Sequence, residues 1–305
     1  MIGHYLALVK RELWEHRSIF VTPLVIASVV TLGTLTTLMF AGEFHQQLDL
    51  VIFGAQNVAG DTERRAILTG FFVGSSWLFL LGLGVLTIFY SLDALYAERK
   101  DKSILFWRSL PVTDAETVVS KLLTALLVIP AVAFAGIIVT HLVNLIVTSL
   151  WVSSKGGDAG VMIWGSVPIL DNWLATLVVL YAIAIWMSPF VGWFLFVSAF
   201  TKRAPLLMGF LPLVLIPMIE GIFMRSAHFA EAVWGRGAQI PLFAEIDLEL
   251  FFDENKMHVS EDMVSLLSHL DPVKFLTSPD TWLGIIVCGL LVTAAIYVRR
   301  YRDES

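Results

Sequence analysis

Six stretches of this 305-residue chain run without Asp, Glu, Lys or Arg over lengths comparable with a bilayer, and they dominate what it can fold into. They are residues 18–42, 66–92, 122–154, 172–201, 204–219 and 281–298. A helix rising 1.5 Å per residue needs about 20 apolar residues to cross roughly 30 Å of hydrocarbon. The third and fourth runs exceed that and are read as spans over about 122–147 and 173–198. The fifth is short and reaches span length only by continuing through Glu220 to Met224. Backbone polar groups in lipid must be satisfied within the segment, so each run is a helix. With 57% hydrophobic and 15% charged residues, the chain is expected to be an all-α polytopic membrane protein, and a soluble domain is excluded. The first run is too long for the core of a cleaved signal peptide and is read as a retained anchor.

Orientation follows from the basic residues flanking the spans. With the N-terminus inside, the cytoplasmic segments hold Lys10, Arg11 and Arg17; Arg99, Lys100, Lys102, Arg108 and Lys121; Lys202 and Arg203; and Arg299, Arg300 and Arg302. The opposite face has fewer, and most of those lie in one long loop. Both termini are therefore expected in the cytoplasm. The chain divides into residues 1–17, a cytoplasmic leader; 18–224, five spans enclosing a cytoplasmic loop at 93–121; 225–280, an external segment; and 281–305, the sixth span with a basic tail. In the leader, Ile2, Leu6, Val9 and Leu13 form a helical stripe with Lys10, Arg11, Glu12 and Glu15 largely elsewhere, the pattern of an amphipathic helix on the inner leaflet.

The 93–121 loop carries the densest pattern. Glu98, Arg99, Lys100, Asp101 and Lys102 precede an apolar patch containing Ile104, Phe106 and Trp107. Pro111 then breaks the chain, and Thr113 with Glu116 forms a capping box that starts the next helix. The spacing predicts a short amphipathic surface helix, a sharp turn and a helix descending into the bilayer.

These residues resemble the permeases of ABC-2-type exporters. The resemblance rests on Glu98-Arg99 just after the second of six spans, Leu110-Pro111-Val112-Thr113, and Lys121 leading into the third. Ala7-Leu8-Val9-Lys10-Arg11-Glu12-Leu13 ahead of the first span, and the insertion between spans five and six, look similar too. The resemblance implies a transport subunit that dimerises, as a homo- or heterodimer, on two cytoplasmic ATPase subunits. The loop after span two would act as the coupling helix, and short external helices would cap the path. On that reading Glu98 to Lys102 fix register on the ATPase, while Ile104, Phe106 and Trp107 transmit force by packing. No GxxxxGK[ST] occurs in the chain, so ATP and Mg would belong to the partner.

Polar groups within spans are costly and mark candidate pathway positions. His141 and Asn144, three residues apart, share one helix face, either as glue between helices or along a polar route. Gly70 and Gly74 form a GxxxG expected to pack closely. Pro189, Pro212 and Pro217 are expected to bend their helices, which places Glu220 near an external gate or paired with Arg225. The 225–280 segment holds ten acids and four bases, which accounts for the whole net charge of −6. Its Glu245 to Glu254 run lacks the spacing of a calcium loop. The single cysteine, Cys288, excludes an intrachain disulfide. An intramembrane hydrolase is disfavoured by the absence of HExxH and of paired acids inside spans. An ion-coupled secondary transporter or channel is the alternative, though charges deep in several spans and an inverted repeat are not seen.

Overall fold

A computed structural model describes residues 2–40, 58–102, 112–238, 240–243 and 265–301. These form helices and one isolated bridge, Phe243 with Leu270. Among the described residues, six helices are long and apolar enough to cross a membrane.

Helix α1 (Ile2–Glu15) turns at His16 and Arg17 into α2 (Ser18–Phe40), the first span. The second apolar run lies within a longer helix, α3 (Val58–Asp93), whose 36 residues reach about 54 Å at 1.5 Å per residue. Its first two turns carry Asp61, Glu63, Arg64 and Arg65, so it projects beyond the hydrocarbon. A short helix, α4 (Tyr96–Lys100), follows and ends at Lys102 in the left-handed region at φ 57°. The third span, α5 (Asp114–Ser154), begins at the capping box: Thr113 Oγ1 accepts from Glu116 N at 3.2 Å, and Thr113 N donates to Glu116 Oε2 at 2.8 Å. Pro130 has no N–H to donate to the preceding turn, and the register widens into a π turn at Thr124–Val128. Tyr181 Oη donates to the nearby Leu127 carbonyl at 3.3 Å.

The fourth run is divided. Helix α6 (Ile169–Trp186) stops and α7 (Ser188–Phe200) restarts about Met187, because Pro189 cannot continue the i→i−4 ladder. Phe190 N then bonds to Met187 O, and the released Trp186 carbonyl accepts from Arg236 Nε at 2.8 Å. Arg236 also stacks on the Trp186 ring at 4.1 Å and donates to Asp280 O at 2.9 Å. Burial lowers its pKa, with Asp280 opposing. Helix α8 (Pro205–Met224) is the fifth span. It runs on through Pro212 and Pro217, and its departure from regularity comes after them, as a π turn at Glu220–Met224. The sixth span is α9 (Pro279–Tyr301).

Spans one to four share a core that includes Ile19, Phe79, Ile137, Leu180 and Leu195. The close approaches occur at other glycines than the expected pair. A Cβ on Gly136 would meet Pro23 at 3.0 Å and Phe79 at 3.1 Å, and one on Gly192 would meet the Cys288 backbone at 3.1 Å. At Gly70 and Gly74 it would meet nothing within 4 Å, so the GxxxG packs against no other helix among the described residues. The start of the segment expected outside the membrane folds back into the helix layer. Val233 packs near Leu92, Phe194 and Leu213, and 228–238 closes a cavity of about 380 Å³ with spans two to five. The acidic run 245–254 lies outside the described residues.

Candidate functional site

At the end of the bundle where α1 lies, four segments contribute charged side chains to one buried cluster. Glu12 of α1 is 1% exposed, Glu98 of α4 5%, and Lys121 of α5 0%. Lys121 Nζ is 2.8 Å from Glu12 Oε1 and 3.0 Å from Glu98 Oε1. Arg11 reaches Glu98 Oε1 at 2.7 Å, and Arg299 of α9 reaches Glu98 Oε2 at 2.7 Å. Arg299 Nε also bonds Asp114 Oδ1 at 2.9 Å, at the start of α5. Tyr90 of α3 donates its hydroxyl to Glu12 Oε2 at 2.9 Å. Glu12, Glu98 and Asp114 are thus matched by Arg11, Lys121 and Arg299. Isolated buried ions are expensive, and a cluster of this kind is tolerable only because each charge has hydrogen-bonded partners of opposite sign.

Local structure explains how these groups meet. Glu98 is carried inward because α4 is docked on the end of α7: Ser198 Oγ accepts from Leu95 N at 3.0 Å and Tyr96 N at 2.9 Å. Two amides at the start of α4 thereby find partners. Arg99 donates to the carbonyls of Ser198 and Thr201, which lie at the end of α7; a cation is favoured at a helix C-terminus. On α1, His4, Leu8 and Glu12 lie at i, i+4 and i+8 and turn toward the body. For Arg11, burial works to lower the pKa, but the bond to Glu15 and the charges of Glu12 and Glu98 raise it overall. His16 is half-buried edge-on to Tyr90, and burial lowers its pKa despite the nearby Glu12. Glu12, Glu15 and His16 lie close enough together to suggest a metal site. Lys121 and Tyr90 already engage Glu12, however, and Arg11 engages Glu15.

The residues singled out from sequence fall into distinct groups. Lys100, Asp101 and Lys102 are exposed, whereas Glu98, expected among charges facing a partner, is turned in because three cations hold it. Glu12, expected on the polar side of an interface helix, is buried for the same reason. Lys10 remains exposed beside Trp14, 5.2 Å from its ring, while Leu6 and Trp14 present apolar surface. Ile104, Phe106 and Trp107 lie outside the described residues. His141 and Asn144 are buried between helices: His141 meets Ser75 at 3.0 Å and accepts from Trp173 at 3.2 Å, and Asn144 donates to Thr31 at 3.3 Å. The Trp173 contact fixes Nδ1 as an acceptor. Glu220 accepts from Ser226 Oγ and Phe229 N, both at 2.8 Å. It therefore ties down the chain leaving α8, and these contacts replace the expected pairing with Arg225.

Sequence reasoning did not assign Tyr90, Asp114, Ser198 or Arg299 to the site, and used Lys121 only as a marker of the loop's end. A signal was available in Lys121 and Arg299, the charges that directly abut the third and sixth apolar runs.

This arrangement belongs to an integral membrane protein in which a surface turn is joined to three other segments. Residues 66–210 match the family model described as ABC-2 family transporter protein. That stretch, just under half of the chain, includes spans two to four, with Glu98, Asp114 and Lys121, and the match supports an ABC-2-type membrane permease. Neither a curated protein nor a solved structure matches the chain significantly.

Proposed function

We propose that the chain is the permease subunit of an ATP-driven exporter, with both termini in the cytoplasm. Two permease subunits would form the path between them and dock on a separate ATPase that holds ATP and Mg. The observation that carries this reading is the position of Glu98. It sits two residues before the exposed Lys100–Lys102 turn and is bonded at once to α1, α5 and α9. A displacement imposed on that turn is therefore shared with the leader helix, span three and span six through short, nearly dry ion pairs. Lys100, Asp101 and Lys102 act as the docking charges, and Glu98 and Arg99 fix the turn to the bundle. Ile104, Phe106 and Trp107 complete the apolar part of the contact.

The test is the triple reversal Lys100→Glu, Asp101→Lys, Lys102→Glu. Purified in mild detergent, the unsubstituted permease is expected to retain an ATP-hydrolysing subunit and to stimulate its turnover. The variant should insert normally and lose both properties. A permease whose transport is indifferent to ATP, or a variant that couples normally, would refute the reading.

A further inference from the structure

Spans two to five do not close fully on one another, and with the returning segment 228–238 they bound the cavity of about 380 Å³. Packed interiors leave few voids larger than a water molecule, and an apolar void of about 150 Å³ already takes up benzene. The present one lies within the range of drug-sized sites, roughly 300–1,000 Å³. It arises from two irregular turns on different helices. The π turn of α5 brings Ala125 and Leu126 to the wall, with Pro130 just beyond it. The break between α6 and α7 brings Met187, with Ala184 and Phe190 on either side. Regular helices follow one another closely along their length, whereas a widened turn beside a break leaves a gap that neither helix fills.

The wall is chemically uniform. Among the described lining residues Thr87 carries the one hydroxyl, and none is charged. Carbonyls at the two irregular turns are taken up by side chains that do not line the cavity: Tyr181 donates to Leu127 O, and Arg236 donates to Trp186 O. A charged or strongly polar guest would lose water here without gaining a partner, so the wall selects an uncharged, hydrocarbon-rich one.

The mouth fixes where that guest comes from. Gly84 of α3 and Trp234 line the cavity and are exposed. Beside them in α3 and α8, Leu81, Val85, Leu211 and Val214 also present apolar surface, so the opening lies at hydrocarbon depth. The returning segment is tied at both ends, by Phe229 N to Glu220 Oε2 and by Arg236 Nε to the Trp186 carbonyl, both at 2.8 Å. Between these ties Val233 and Trp234 are held against the cavity.

We propose that this cavity binds an uncharged, hydrocarbon-rich molecule of drug size that enters from the bilayer. The proposal goes beyond the transport reading and needs neither a second permease nor an ATPase, so it is tested without ATP.

The test uses the full chain in phosphatidylcholine nanodiscs, photolabelled with trifluoromethyl phenyl diazirine, an uncharged probe that partitions into hydrocarbon, and mapped by mass spectrometry. Labelling at Met187 and Phe190 is expected to saturate with probe concentration, whereas labelling at Leu290, exposed on α9, should rise linearly. A carboxylate-bearing analogue, normalised to its own labelling of Leu290, should reach the cavity roughly tenfold less. A Cβ on Gly84 would meet nothing within 4 Å, so Gly84→Phe obstructs the mouth without a backbone clash. Ala184→Leu adds bulk at the wall instead, which keeps the test decisive if Gly84→Phe fails to insert. Each substitution should remove the saturable component and leave Leu290 unchanged. Absent or linear labelling of Met187 and Phe190 in the unsubstituted protein would overturn the proposal. So would a saturable component that survives both substitutions, or equal normalised labelling by the carboxylate analogue.

Discussion

Lys121 and Glu12 meet at 2.8 Å with both side chains essentially removed from solvent, although 109 residues separate them in sequence. Their pairing joins the leader helix to the first turns of span three. Removing one partner strands a buried charge, which typically costs 3–5 kcal/mol, whereas removing both together avoids that penalty. Lys121→Met is therefore expected to destabilise by about 3 kcal/mol. Lys121→Met with Glu12→Gln should lose less than the two single changes summed, as read by unfolding in detergent.

Glu98 accepts from three cations and is buried, so on the proposed docking it does not face the ATPase. Glu98→Gln is expected to leave binding of the ATPase unchanged and to reduce stimulated turnover, because the docking charges at Lys100 to Lys102 remain in place while their link to span six weakens. Affinity and stimulation measured on the same preparation check this. A parallel loss of both would place Glu98 in the docking surface itself.

The Thr113 cap satisfies amides at the head of span three. Thr113→Ala should cost about 1 kcal/mol of stability, and Thr113→Ser should restore most of it. Thermal unfolding of the three proteins gives the order.

His16 has a lowered pKa, so the folded chain prefers the neutral ring. Its neighbours are Glu12, Glu15, Lys121, Asp93 and Tyr90. The sign follows: stability is complete above the unfolded value near 6.5 and declines as pH falls below it, because the unfolded state binds the proton more readily. His16→Gln should flatten the stability profile over that interval.

Orientation is open to cysteine labelling in a Cys288→Ala background. Lys102→Cys and Ser154→Cys both replace exposed positions at opposite ends of the bundle. An impermeant reagent applied to intact cells should modify Ser154→Cys alone. Modification of Lys102→Cys instead would invert the topology.

The spans were legible in the sequence because uninterrupted apolar length is a local property with one physical reading. The Thr113–Glu116 box was legible for the same reason, since its partners are three residues apart. The break at Met187 was half legible: Pro189 marks a lost donor, but nothing local says that Arg236 will serve the freed carbonyl. The burial of Glu98 was not legible at all. Its environment depends on Arg299, 201 residues away, and in isolation Glu98 reads as one more charge in a solvated run. Gly70 and Gly74 misled for a related reason: spacing alone does not say which helix, if any, will lie against them, while Gly136 and Gly192 carry no motif yet sit at real contacts.

The order in which the ribosome delivers these groups adds a further consequence. Arg11, Glu12, Glu98, Asp114 and Lys121 are all made long before Arg299, so until the final helix is inserted the cluster holds three acids against two bases. Neutrality arrives with the last span, and a nascent chain interrupted ahead of it retains an uncompensated negative charge where α1, α4 and α5 meet. Quality control in the membrane would have a physical mark by which to tell the finished permease from the unfinished one.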